Sequence, residues 1–233
     1  AVAALFAFKL ESAGYQDASH MVPLTFLMII GTVLLQSATA RAIAGWLKVA
    51  DPEPRGFLIS GADRVARDIA KSLQENEFRV LLADQNRDNV VAANMEGLPA
   101  YWGNPVSEHA DRHLSLIGIG RLLALTSSIE LNALAAQHYR MEFGMNNIYT
   151  IRNQSENGIA ESKSAFKHSG RHLFDEAVTH HFLAQAIADG AAVKTTPLTE
   201  EFSFENYVRF QDEKRLPLFA IDPHDHIHVF TSK

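Results

Sequence analysis

The most specific chemical pattern in the chain is built from small residues and two carboxylates. The apolar run Phe57-Leu58-Ile59-Ser60 leads into Gly61-Ala62-Asp63-Arg64-Val65-Ala66, then a helical pattern, then a second apolar run ending on Asp84. This order imitates the dinucleotide fingerprint G-x-G-x-x-G/A. There the first glycine makes a tight turn, the second lets a pyrophosphate reach the helix N-terminus, and the third position packs helix on strand. Asp84 stands 23 residues after Gly61, close to the spacing of an acid that bonds ribose hydroxyls. Asp63 replaces the second glycine, and its carboxylate would meet the anionic pyrophosphate. Asp is also a favoured N-cap and suits the positive end of a helix dipole. Asp63 is therefore expected to take the anion position itself and to weaken or abolish dinucleotide binding. That would leave an adenosine-type ligand or a purely structural loop. Ala66 suits the third position. Asp84 disfavours a ligand with a 2′-phosphate, with Arg87 nearby acting in the opposite sense.

Other constellations are less specific. His224, His226 and His228 alternate, so on one strand they would share a side with Asp222 and could ligate zinc. The Asp222-Pro223 step and the flanking runs PLFAI and IHVFT instead favour a hairpin around the turn DPHDH. His180 and His181 are adjacent on a predicted helix and point apart, a poor pair of ligands. Ser127, Ser128 and Glu130 follow an apolar run and could suggest a nucleophile, but Ser before a helix is more often a cap. Asn132 in that helix reads as a packing or capping residue. The chain has no G-x-S-x-G elbow, Walker loop or H-E-x-x-H motif. No catalytic residue and no metal ligand is assigned, and the chain reads as non-enzymatic. The lack of cysteine removes disulfides, thiolate catalysis and cysteine-bound zinc, and is compatible with a reducing compartment.

The elements that would position the loop alternate in type. Apolar runs near 56 to 60, 78 to 84, 98 to 102, 121 to 127 and 147 to 153 are separated by amphipathic stretches at about 62 to 76, 86 to 96, 107 to 117 and 128 to 143. Strands alternating with helices predict crossover units on a parallel, doubly wound Rossmann-like sheet. Residues 154 to 170 read as a polar loop, 171 to 189 as a helix stopped by Gly190, and the rest as short β runs. This is a small α+β C-terminal lobe. The expected division is 1–50, 51–153 and 154–233, with Val49 to Arg55 (VADPEPR) as a short stiff linker.

The first 50 residues have a different character. Met21 to Ala40 is twenty residues without a formal charge, and at ~1.5 Å per residue a helix here spans about 30 Å, the thickness of a bilayer core. A transmembrane helix over about 21–41 is expected. Thr25, Thr32, Gln36 and Thr39 fall on one helical stripe that should face other helices, and Gly31, Ser37 and Ala38 would allow close packing. Arg41, Lys48 and Arg55 follow the span while Lys9, Glu11 and Asp17 precede it. The positive-inside rule thus places residues after about 45 in the cytoplasm. The opening AVAALFAFKL has neither an initiator Met nor the n-region and cleavage site of a signal peptide, and reads as a piece of a longer protein. The net charge of −6 lacks the clustered Lys and Arg of a nucleic-acid binder, so no nucleic acid is expected as partner.

The segments GFLISGADRVARDIAKSL, FRVLLAD, WGNPVSEHADRHLSLIGIGR and LLALTSSIELNALAAQHYR resemble the TrkA-N or RCK domain, the ligand-sensing module of potassium channels and transporters, over roughly residues 55 to 153. Upstream, LFAFKLESAGY and PLTFLMIIGTVLLQSATARAIAGWL look like the closing helices of bacterial sodium or potassium:proton antiporters that carry such a domain. The resemblance implies regulation, with NAD, NADH or an adenine nucleotide altering how paired domains sit beneath the membrane part. The family's binding positions fall on Gly61, Ala62, Asp63, Arg64, Val65, Asp84, Asn104 and Thr126. Asp63 and Asn104 depart from its usual residues, a glycine and the aspartate of a Gly-Asp pair. The implied partners are the rest of an antiporter membrane domain, the lipid bilayer and a second copy through the RCK domain, at the bacterial inner membrane. Two other readings are a separate RCK-type subunit gating a potassium channel or uptake system and, with less support, a soluble NAD-dependent oxidoreductase.

Overall fold

The computed structural model describes residues 2–14, 20–46, 54–153, 170–175, 177–198, 215–224 and 226–231. Residues 154–169 of the expected polar loop (154–170) and residues 49–53 of the expected linker lie outside them. The chain divides into two units, Ala1–Asp51 and Pro52–Lys233.

The first unit holds helices α1 (Val2–Ser12) and α2 (Met21–Trp46), which contact each other. Among the described residues one helix is long and apolar enough to cross a membrane, by length and composition. That stretch is Val22–Ala40, and 0% of it is buried within the molecule. Two hydroxyls of the expected polar stripe are satisfied inside the helix: Thr32 Oγ1 donates to the Ile29 carbonyl at 2.9 Å and Thr39 Oγ1 to the Leu35 carbonyl at 2.7 Å. Such back-bonding lowers the cost of placing threonine in an apolar medium, so these two do not require a partner helix.

The second unit contains the expected doubly wound sheet. Its elements run β1 (Gly56–Ser60), α3 (Arg64–Glu75), β2 (Val80–Asp84), α4 (Arg87–Met95), β3 (Ala100–Trp102), α5 (Glu108–His113), β4 (Ile119–Ala124), α6 (Ile129–Phe143), β5 (Ile148–Thr150) and β6 (Arg171–His172). The strand order is β3-β2-β1-β4-β5-β6 and every pair is parallel. Both faces are covered, which is why the strands read as continuous apolar runs. Phe57, Ile59, Leu82, Leu123, Tyr149 and Ile151 form one face with Val65, Ile69 and Leu73 of α3. Leu58, Leu122, Ala124 and Ile148 form the other with Ala135, Ala136, Tyr139 and Phe143 of α6. Chain connections diverge between β1 and β4, so the loops after these strands part there and leave a crevice at the carboxyl end of the sheet. On β4, Gly120 is required by a close approach. A Cβ there would lie 2.1 Å from the Pro54 carbonyl oxygen, where the chain enters this unit.

The C-terminal part corrects one expectation. Residues 171–189 are not a single helix. Arg171–His172 adds a short strand beside β5, Leu173, Phe174 and Val178 bury in the α3 face of the core, and only His180–Ala188 is helical (α7). The helix starts late because Thr179 caps it, its side chain accepting from the Phe182 amide at 3.2 Å. Leu183 and Ile187 of α7 join the same core. The expected hairpin is present as β7 (Phe219–Ile221) and β8 (Ile227–Val229), antiparallel and forming a separate two-stranded sheet.

Candidate functional site

At the end of β1 the chain must turn sharply from a strand at the centre of the sheet into α3. Gly61 makes that turn with φ +112°, a conformation that suits glycine. Its amide donates to the Ala83 carbonyl at 2.8 Å. The Ala62 amide donates to Asp84 Oδ2 at 2.8 Å, and the Ala62 carbonyl accepts from Arg67 Nη1 at 2.9 Å. Arg67 is itself held by Glu96 at the end of α4, with Nε 2.9 Å from Oε1. The loop is thus fixed at both its donor and its acceptor. Arg64 is exposed at the first position of α3, whereas the Val65 side chain is buried, so Val65 can offer a ligand only its backbone.

Asp63 is the N-cap of α3. Its Oδ1 accepts from the Ala66 amide at 2.9 Å, placing the carboxylate at the positive end of the helix dipole, where a ligand phosphate would bind in the glycine version of this loop. The other oxygen, Oδ2, lies 2.6 Å from Nε2 of His180, the first residue of α7. The side chains of His180 and Asp63 are 11% and 34% exposed, so the contact is partly screened from water.

Asp84, at the end of β2, binds three protein donors. Oδ2 accepts from the Ala62 amide and from Asn89 Nδ2 at 2.9 Å, and Oδ1 accepts from the Asn86 amide at 2.8 Å. A carboxylate has about four acceptor sites, leaving capacity on the outer oxygen for a hydroxyl. Beside it, Trp102 is 61% exposed, its indole Nε1 donates to the Gln85 carbonyl at 3.1 Å, and the Arg87 guanidinium lies 5.8 Å from its ring centroid. Asn104 closes a turn after β3, its Oδ1 accepting from the Val106 amide at 3.1 Å. That loop is pinned by Tyr139 of α6, whose hydroxyl donates to the Pro105 carbonyl at 2.6 Å. Burial pushes the Tyr139 phenol well above its ordinary pKa.

Thr126 follows β4 across the crevice, with its methyl 3.4 Å from where a Cβ on Gly61 would lie. The buried Asn132 of α6 clamps it. Asn132 Oδ1 accepts from the Thr126 amide at 3.1 Å and lies 2.6 Å from its hydroxyl, and Nδ2 donates to the Thr126 carbonyl at 2.9 Å.

The structure therefore brings Gly61, Ala62, Asp63, Asp84 and Thr126 to one crevice, with Asn104 on the next loop along the same sheet end. It adds Arg67, Asn89, Trp102, Asn132 and His180, none of which the motif marks. Asn132, read from the sequence as a packing or capping residue, and Asn89 lie six and five residues from their partners, and a local helical reading could also have found Asn89. His180, 117 residues from Asp63, gives no local signal. Gly61, the remaining acceptor site of Asp84 and the Thr126 loop suit the nucleoside half of a dinucleotide. The pyrophosphate half does not fit while the Asp63 carboxylate caps α3.

At the C-terminal hairpin, Asp222 organises the turn. The His226 and His224 amides both donate to its Oδ1 at 2.9 Å, and Nδ1 of His226 and Nε2 of His228 lie 3.2 and 3.5 Å from Oδ2. The His226 amide above all, then the His224 amide and the His226 ring, hold the Asp222 carboxyl down at about 2. Among the described residues no group of three or more His, Asp or Glu side chains is arranged to hold a metal ion.

Residues 57–170 match the family described as the TrkA-N domain. Solved structures similar to the chain include the NAD(P)-binding domain of an exopolyphosphatase-related protein from Archaeoglobus fulgidus, at 20% identity over 58% of this chain and 96% of that one, with a TM-score of 0.41. The TrkA-N domain of the inner membrane protein ybaL from Escherichia coli matches at 16% identity over 58% of this chain and 95% of that one, TM-score 0.42. The GsuK channel bound to NAD matches at 18% identity over 68% of this chain and 29% of that one, TM-score 0.38. No curated protein matches the chain.

Proposed function

We propose that the chain is the regulatory end of a bacterial monovalent cation:proton antiporter, in which α2 is the last membrane helix and the TrkA-N domain is a cytosolic sensor of an adenine nucleotide such as NAD or NADH. The observation that carries this reading is the succession of an apolar helical stretch, Val22–Ala40, none of it buried, and a TrkA-N domain beginning at residue 57. A helix of that composition would leave large apolar side chains such as Leu27, Met28 and Leu35 in water unless lipid or other membrane helices cover them.

In this role the chain's residues bind and orient rather than carry out chemistry, and the chain is not an enzyme. Asp84 would accept a ribose hydroxyl, the Thr126 loop would line the opposite wall, and Gly61 allows the ligand to approach the backbone. Occupancy would alter how two copies of the domain pair beneath the membrane at the inner face of the bacterial inner membrane, and so alter ion flux.

The test uses the intact protein, including whatever precedes Ala1, in everted membrane vesicles from bacteria lacking their own antiporters. Adding sodium or potassium to respiring vesicles should collapse the pH gradient, and NAD or NADH inside the assay medium should change the rate. A protein that shows no exchange but supports a nucleotide-dependent potassium conductance would instead support the channel-gating reading.

A further inference from the structure

We infer that Asp63 and His180 form a latch, so that docking of α7 and occupation of the α3 N-terminus by a ligand phosphate exclude each other. The inference rests on the proposal that the crevice takes a nucleotide, and it names how that site is regulated.

Both oxygens of the Asp63 carboxylate are committed, one to the Ala66 amide at 2.9 Å and the other to His180 Nε2 at 2.6 Å. A phosphate at this helix end would need the same amide, and would bring negative charge against a carboxylate already there. Asp63 must swing away to admit it. Swinging away breaks the contact with His180, because no rotation of so short a side chain can leave the helix end and keep the second oxygen in place.

His180 has little freedom to follow. It begins α7, its amide donates to the Arg152 carbonyl at 2.8 Å, and the preceding Thr179 bridges to Arg152 at the end of β5. Behind it, Leu183 and Ile187 are buried in the core face that α3 also covers. A charge-assisted hydrogen bond is among the stronger single contacts. Its loss therefore loosens the first turn of α7. By thermodynamic reciprocity, any ligand that loosens α7 binds more weakly while α7 is docked. A glycine at 63 would have neither property, so the substitution that departs from the fingerprint is the one that couples the crevice to the C-terminal segment.

The experiment combines hydrogen exchange across residues 177–188 with calorimetric titration of the full chain in detergent. The probes are NAD, which carries a pyrophosphate, and adenosine, which carries none. In the wild type NAD should speed exchange in the first turn of α7 while adenosine leaves it unchanged. Asp63→Gly should speed exchange there without ligand and raise the NAD affinity by about tenfold, the size expected for one charge-assisted bond, with adenosine affinity unaltered. His180→Gln retains a donor and should keep wild-type exchange, whereas His180→Ala should lose it. Wild-type exchange in α7 of Asp63→Gly, or NAD bound to the wild type with α7 undisturbed, would overturn the latch and leave the nucleotide reading standing. Failure of both probes to bind every variant, Asp63→Gly included, would overturn the nucleotide reading together with the ligand half of the inference.

Discussion

Asn132 bonds the amide, carbonyl and hydroxyl of Thr126 after β4, as Asp84 bonds the Ala62 amide after β1: each side chain satisfies backbone polarity that a turn has withdrawn from the sheet. Truncating it to alanine would leave the Thr126 amide, carbonyl and hydroxyl without this partner in a site where Asn132 is only 3% exposed. A cost of about 2 to 3 kcal/mol is expected for stranding such groups, lowering the thermal midpoint by about 4 to 12 °C in a domain of this size. Circular dichroism melting of Asn132→Ala measures this, and an unshifted midpoint would show that the clamp contributes nothing. At the residue scale the sequence is most legible where cause and effect are close in the chain. Asp63 is the helix cap that its residue type and position indicate, and Asn132 packs and bonds within α6 and the Thr126 loop as its place in the helix indicates. The second bond of Asp63, to His180, has no such local signal. The Asp63–His180 contact joins segments 117 residues apart in the chain, and beside His181 the first histidine reads merely as half of a poor metal pair.

At the scale of elements, the strong alternation of apolar runs made β1 to β5 and the helices between them readable, since a strand buried on both faces has no polar positions to blur it. The same reasoning failed at β6. Two residues, Arg171 and His172, are too few to show a period, and the apolar residues that follow pack as a turn rather than along one face of a helix. That edge of the sheet has its own titration. Burial first, and the Arg152 charge second, hold the His172 imidazole below its ordinary pKa. The folded edge therefore keeps His172 neutral at a pH where the unfolded chain already takes up a proton. Stability from this residue is complete above about pH 6.5, the ordinary value, and is lost as the pH falls from there toward the lower folded value. Melting curves of wild type and His172→Gln between about pH 8 and 5 should diverge in slope, the wild type falling more steeply on the acid side. Parallel curves would show that β6 is indifferent to this proton.

The whole molecule joins a unit whose principal helix leaves its apolar surface uncovered to one whose sheet is closed on both faces. Phe26, Leu27, Met28 and Leu34 of α2 are all more than half exposed, an apolar surface that a bilayer would cover. The proposed crossing makes a geometric statement that can be checked directly, since the chain contains no cysteine and single thiols can be introduced without background. Ser12 and Ser115 are both exposed and lie on opposite sides of α2 in sequence. If α2 spans the bilayer with its C-terminal side inward, as the basic residues after it indicate, Ser12→Cys should react with a membrane-impermeant maleimide in intact spheroplasts and Ser115→Cys only after the membrane is opened. Lysine in place of Leu34 in the middle of the span should oppose insertion by about 2.5 to 3.5 kcal/mol and shift the chain toward alkali-extractable material. Labelling of both thiols from the same side would mean that α2 does not cross, and would favour the reading of a separate regulatory subunit over that of an antiporter's membrane-anchored end.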